Sequence, residues 1–485
     1  VEKVKSVIRT LAKMGMNVLM LYTEDTYEVP REPYFGSYRG RYTKAEIQEM
    51  DAYASMFGIE LVPCIQTLAH LHNALEWPGK NKIKDSTDVL IVGKEETYTF
   101  IEELLQSVKE AFSTRRVHLG MDEAVLLGLG KYLIENGYEK GSVLIREHCK
   151  RVLAICKKLG LVYWDYYHDD EKSYEKMLNI HKQLSDDVIF AGGSWIWNGI
   201  APNYSKTFAC TKAAFQTCKK YLMKEVLCTA WMDNGAETPV DAVWPGVALF
   251  AHLGFHLEYN EKVLEEEFKE CVGGNLKDFM ALDAFDSLFL NGKANQEAQN
   301  PSKYLLYQDP LAGIFDQEVV KSGVDTGAYY KKLKKMMEIC QENSPEYVAL
   351  FAYYEKLAAV LADKADLGVR MKAAYDKKQL LALKEICEKE IPETIQNLEE
   401  MKVLREDLWM SEAKPFVYEL MDVKLGAVIT RLNSTIRRTK KYLDGGIPCL
   451  EELEETRLPY FEKNADKREN RWSQIISGSD LIDTI

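Results

Sequence analysis

Two adjacent carboxylates, Asp122 and Glu123, close the stretch Arg116-Val117-His118-Leu119-Gly120-Met121-Asp122-Glu123. The apolar lead-in reads as a short strand with the pair at its C-terminal end. Neighbouring side chains near a strand end point to different sides, so the two acids are free to do different work. One can protonate a leaving group while the other orients the substrate and meets developing positive charge. Trp164, Trp195, Trp197 and Trp231 fall at or just after other expected strand ends, and Asp25, Asp165, Asp233 and Asn234 hold equivalent places. Sugars offer C–H faces that stack on indoles and hydroxyls that need carboxylate partners. Tryptophans and acids around a carboxylate pair therefore suit a pocket for one sugar ring.

The elements that must position these residues alternate helix and strand from residue 1 to about 256. Val4–Met14 carries apolar residues at helical spacing. Asn17–Tyr22 is a buried strand. Thr43-Lys44-Ala45-Glu46 forms a capping box that opens a helix ending near Gly58. Strands are expected over Ile59–Ile65, Arg116–Met121, Leu161–Asp165, Asp187–Ala191, Glu225–Ala230 and Val243–Phe250, with helices over Tyr98–Phe112, Ser142–Leu159 and Phe208–Met223 between them. Strands separated by helices imply parallel βαβ units. The expected fold is α/β, a TIM-type (β/α)8 barrel. The count reaches about seven strands and the chain opens on a helix, so the first barrel strand is expected to lie before Val1. An open doubly wound sheet is disfavoured by the lack of a GxGxxG loop. Beyond His256 the strand pattern stops, and Pro415–Leu443 reads as one long helix. The expected domains are a catalytic barrel, 1–256, and a helical C-terminal domain, 257–485.

Composition narrows the function classes. The chain has 485 residues and a formal net charge of −13, and no basic block is interleaved with aromatics, which argues against nucleic acid. No apolar run is long enough to span a membrane. Ten scattered cysteines without a CxxC pair fit reduced thiols and a cytoplasmic setting, although a signal peptide before Val1 stays open.

The spacing His118-x-Gly120-x-Asp122-Glu123 resembles the H-x-G-x-D-E signature of the family-20 glycoside hydrolases, the β-N-acetylhexosaminidases. Arg41-Tyr42-Thr43, His70 after the third barrel strand and Trp231-Met232-Asp233 are similar to further segments of that family, and the tail is similar to that of a bacterial subgroup. The resemblance implies an exo-acting enzyme on glycans or glycosides with terminal N-acetylhexosamine, without metal or organic cofactor. It implies retention through attack by the substrate's own acetamide oxygen, an exception to the two-carboxylate retaining scheme. Glu123 would be general acid and then general base, and Asp122 would hold the acetamide N–H. Trp164, Trp195 and Trp231 would wall in the acetyl methyl, with Trp197 on the same rim. Asp233 would bind a ring hydroxyl, and His70 and Asp25 would serve the pocket. His118 is expected inside the strand, orienting the acid. Where the family has a tyrosine for the acetamide oxygen this chain has Trp231, so Trp231, Tyr166 or Tyr167 is left to fill that role. The family's sugar-binding arginine lies on the missing strand, and Arg39 and Arg41 are remote substitutes. The tail could complete the pocket, with Tyr307 and Asp309 as candidates, or form a homodimer contact. Two rival readings remain. One is a metal-dependent barrel hydrolase using His70, His72, His118, His168 and Asp233; the other is a non-catalytic sugar-binding protein. A structural reading of Asp122 and Glu123 as caps of the next helix also competes.

Overall fold

The computed structural model describes residues 1–156 and 160–461. They divide into two units, one formed by residues 1–156 and 160 with 413–417 and the other by Leu161–Glu412 with 418–461.

The first unit opens with helix α1, Glu2–Lys13, which buries Ile8 and Leu11. Strand β1, Val18–Glu24, pairs parallel with β2, Glu60–Ile65, in a register running from Val18 opposite Glu60 to Glu24 opposite Ile65. The crossover between them is α2, Lys44–Met56. The expected capping box is present: the Thr43 hydroxyl accepts from the Glu46 N–H, and the Glu46 carboxylate accepts from the Thr43 N–H. Helix α3, Glu95–Ala111, buries Tyr98, Phe100, Ile101, Leu104 and Val108. Helix α4, Gly141–Ile155, follows; residues 157–159 of the expected helix lie outside the described residues. Arg116–Met121 is less regular than expected. Only His118 forms a bridge, parallel to Cys64 of β2.

The second unit carries the parallel sheet β3 (Leu161–Trp164), β4 (Val188–Gly193) and β5 (Val226–Thr229), in that order. Crossovers α5, Glu171–Leu184, and α6, Tyr204–Lys220, keep it parallel. Tyr163, Tyr174, Leu178, Val188, Phe190 and Ala214 form the core between sheet and helices. Among the described residues the strand ladders stay within these two sheets.

Val243–Phe250, expected as a strand, is instead helical: Val243 ends the 3₁₀ turn Val240–Val243 and the rest belongs to α7, Trp244–Phe255. Pro245 sits in its first turn, where a missing N–H costs nothing. Trp244 through Leu253 are all buried, so the helix has no polar face and its sequence lacks the 3.6-residue alternation that identifies amphipathic helices. From Asp233 to Glu454 the described secondary structure is helical. Helices α8 (Thr326–Asn343), α9 (Val348–Lys364) and α10 (Ile391–Glu412) pack in succession, and α11 spans Glu419–Leu443. A buried charge cluster ties this part together. Glu237 meets Lys303 at 2.7 Å and Lys424 at 3.2 Å, and accepts from the Tyr307 hydroxyl at 2.7 Å. Among the described residues the cysteines form no disulfide, and no helix is long and apolar enough to cross a membrane.

Candidate active site

In the first unit the chain beside β2 is held by its backbone. The His118 N–H donates to Pro63 O, the Ile65 N–H to His118 O and the Thr67 N–H to Gly120 O, each at 2.9 Å. The Thr67 hydroxyl adds a bond of 2.6 Å to Leu119 O. Gly120 is required here. Its φ is +44°, and a Cβ would stand 2.2 Å from Gln66 Oε1 and 2.5 Å from Ile65 O. Asp122 and Glu123 follow in irregular chain. The next helix, Lys131–Asn136, is flanked by Gly130, so the two acids do not cap it.

His70 joins the pair: its Nε2 lies 3.4 Å from Asp122 Oδ2 and 3.5 Å from Glu123 Oε2. The hydrogen bond to Asp122 raises the His70 imidazole above its ordinary range, against the effect of burial. Burial alone would raise Asp122. The His70 hydrogen bond, a backbone N–H and the two nearby imidazoles outweigh it and hold this carboxyl below its usual range. Glu123 points outward, with its side chain 72% exposed. His118 is pushed down by desolvation, so it stays neutral near pH 7, and its Nδ1 accepts from the Gly120 N–H at 3.3 Å.

A second layer lies at the end of β1. The Tyr22 hydroxyl donates to Glu24 Oε1 at 3.1 Å and accepts from Gln66 Nε2 at 3.0 Å. Arg39 donates to Asp25 at 3.2 Å and to Glu24 at 3.4 Å. Burial raises both carboxyls despite the guanidinium. Asp25 is therefore a buried partner of Arg39, itself half-buried. Glu24, His70 and Glu123 all take positive φ, at +44°, +54° and +51°. Left-handed backbone in residues with a Cβ costs about 1–3 kcal/mol each and gathers where function constrains the chain.

The second unit holds the aromatic residues. Trp195 and Trp197 stack at 4.5 Å and are buried, with Tyr166 and Trp231 packed against them. The Trp195 indole donates to Tyr166 O at 2.8 Å, and the Trp164 and Trp231 rings are 5.4 Å apart. Five of the expected residues thus form one group. Asp165 accepts from the Tyr163 hydroxyl at 2.6 Å and pairs with His168 at 2.9 Å. Asp233 is exposed and opens the single-turn helix Asp233–Ala236; the side chain of Asn234 lies outside the described residues.

The metal-ligand readings find no cluster at His70 and His72 among the described residues. The three-donor group among the described residues is instead His252, His256 and Glu267 of the second unit, where the imidazoles meet the carboxylate at 2.7 and 2.6 Å. The Asn260 N–H donates to His252 Nε2. That fixes the proton on Nδ1, the atom a metal would need, so hydrogen bonding accounts for the group.

Sequence reasoning missed Tyr22, Gln66 and His148. Buried His148 meets Thr67 O through Nε2 at 3.0 Å, bracing the residue that holds Leu119 and Gly120. Nothing local in the sequence signals this contact across 81 positions.

Residues 1–189 match the model described as glycosyl hydrolase family 20, catalytic domain, and residues 277–472 match the glycoside hydrolase 20C C-terminal domain. The chain is 23% identical over 270 residues to beta-hexosaminidase A of Caenorhabditis briggsae, covering 43% of this chain and 48% of that protein. It is 21% identical over 310 residues to the Caenorhabditis elegans protein of the same name, covering 50% and 55%. The chain thus spans about half the length of these curated relatives. Among solved structures it is similar to the GH20 exo-β-N-acetylglucosaminidase of Vibrio harveyi, with 15% identity, 58% of this chain and 56% of that chain covered, and a TM-score of 0.42.

Proposed function

Because the chain belongs to glycoside hydrolase family 20, we propose that it is an exo-β-N-acetylhexosaminidase releasing terminal β-linked N-acetylglucosamine or N-acetylgalactosamine with retention. The observation that carries the proposal is the convergence of Asp122 and Glu123 on His70 beside β2, within the span that matches the family's catalytic domain.

In this reading Glu123 delivers its proton to the glycosidic oxygen as the acetamide oxygen attacks the anomeric carbon, forming an oxazolinium ion. Glu123 then takes a proton from the water that opens the ring. Asp122 accepts from the acetamide N–H and offsets the positive charge that forms there. Its depressed carboxyl supports this, because only the anion does that work. His70 orients both acids, and neutral His118 shapes the turn at Gly120. The same reading takes the fold as a (β/α)8 barrel followed by helices. It gives the group Trp164, Tyr166, Trp195, Trp197 and Trp231 the sugar's apolar faces, Asp233 a ring hydroxyl, and Asp25 the support of Arg39 and its neighbours. No metal or organic cofactor enters any step.

The test is hydrolysis of a chromogenic β-N-acetylglucosaminide beside the matching plain β-glucoside. Cleavage of the acetamido sugar alone is expected; equal rates overturn the acetamide mechanism.

A further inference from the structure

Two aromatic rings stand on loops that carry Asp25 and His70, two of the first unit's candidate residues. Tyr34 lies in the loop from β1 to α2, which also bears Asp25 and Arg39. Trp77 lies seven residues beyond His70 in the loop after β2. Their ring centroids are 5.0 Å apart and their planes 31° from parallel. Tyr34 is 57% exposed, and Trp77 is half-buried.

The mount beneath them is fixed. Lys80 pairs with Glu32, joining the two loops through groups that are themselves largely covered. The same ammonium lies 4.4 Å over the Phe100 ring of α3. Phe35 is buried between Tyr27 and Phe100, at 5.1 and 6.0 Å. Trp77 leads into the 3₁₀ turn Pro78–Lys80, whose proline limits its backbone. Glu76, beside Trp77, is near enough to Asp25 for its charge to push that carboxyl up. The aromatic pair is thus held in place on the loops that bear Asp25, Arg39 and His70, with much of the Tyr34 ring in water.

We infer that Tyr34 and Trp77 form a binding platform for the sugar on the leaving side of the cleaved bond. The preferred substrate is then an oligosaccharide ending in N-acetylhexosamine rather than a glycoside of a small alcohol. This inference rests on the function proposed above. An exo-acting site takes one ring to Asp122 and Glu123, and the remainder of the chain must run outward over neighbouring loops. Glu123 hands its proton to the oxygen of that remainder, and its side chain points to solvent. A pyranose has an apolar face that an exposed aromatic ring covers at small entropic cost, because both partners are rigid.

The test compares kcat/KM for the disaccharide GlcNAc-β1,4-GlcNAc with that for methyl β-N-acetylglucosaminide, in wild type, Trp77→Ala, Trp77→Phe and Tyr34→Ala. The disaccharide-to-methyl ratio is expected to fall about five- to tenfold in Trp77→Ala and several-fold in Tyr34→Ala, with most of it recovered in Trp77→Phe. An unchanged ratio, including an equal fall on both substrates, overturns the platform while leaving the hydrolase reading intact. If wild type cleaves neither substrate, the hydrolase reading fails on its own. Calorimetric binding of the disaccharide then decides the platform: weaker binding by Trp77→Ala supports it, and equal or absent binding in wild type and variant overturns it.

Discussion

Replacing Gly120 by alanine probes the geometry that places the acid pair. At φ +44° an added Cβ would stand 2.2 Å from Gln66 Oε1 and 2.5 Å from Ile65 O. The amide could swing aside only by giving up its bond to Tyr22, and the carbonyl belongs to the backbone of β2. Left-handed backbone costs an alanine about 1–2 kcal/mol. Crowding in a packed interior adds about 1–3 kcal/mol. Allowing for partial relaxation, the sum is about 2–4 kcal/mol, or a fall in melting temperature of about 5–15 °C for a unit of this size. Strain that escapes by moving the chain displaces Asp122 and Glu123, two and three residues on. A misplacement of about 1 Å costs roughly 100-fold in rate. Thermal unfolding followed by circular dichroism, with kcat/KM measured well below the transition, reads both effects. A variant melting within about 1 °C of wild type with full activity would refute the close-packed turn.

Two further substitutions test the frame. Burial pushes the His148 imidazole down to about 4 from an ordinary 6.5, so the unfolded chain binds the extra proton first. The stability held by the neutral ring is present above about pH 6.5 and lost as the pH falls toward 4, on the order of 3 kcal/mol. Urea unfolding across that range should be steeper in pH for wild type than for His148→Gln; parallel curves would show that this ring is not the titrating group. Glu237→Ala removes the carboxylate shared by buried Lys303 and Lys424 and is expected to cost about 3–5 kcal/mol in the same assay, whereas a loss under about 1 kcal/mol would mean that water reaches the lysines.

What was legible in the sequence depended on how local its cause is. The capping box at Thr43 and Glu46 is a four-residue pattern and was read directly. Strands β1 to β5 were found near their observed bounds because each is a short apolar run between helix ends. Helix α7 was misread because full burial removes the polar face that marks a helix. Arg116–Met121 was read as a strand, yet it pairs through a few backbone bonds around His118, a tertiary arrangement with no sequence period. At the candidate site, residue types were visible and conformations were not. The Asp122–Glu123 pair, His70 and the tryptophans announce themselves by chemistry. The left-handed backbone at Glu24, His70 and Glu123, the Tyr22–Gln66 bond and the brace from His148 arise from contacts dozens of residues apart. Arg39, expected only as a remote substitute for the first-strand arginine, pairs with Asp25 and Glu24 from the loop after β1, a contact with no local sequence signal.

The central claim is that Glu123 moves the proton in a reaction completed by the substrate's acetamide, and Glu123→Gln tests it most directly. Wild type and variant would be compared on the chromogenic β-N-acetylglucosaminide, its plain β-glucoside counterpart and methyl β-N-acetylglucosaminide. The account predicts that wild type cleaves only the acetamido sugars. It predicts a loss in the variant of about 10²–10⁴-fold on the methyl glycoside, whose poor leaving group needs the proton, and a smaller loss on the chromogenic one. A variant that cleaves the methyl glycoside at the wild-type rate would contradict it.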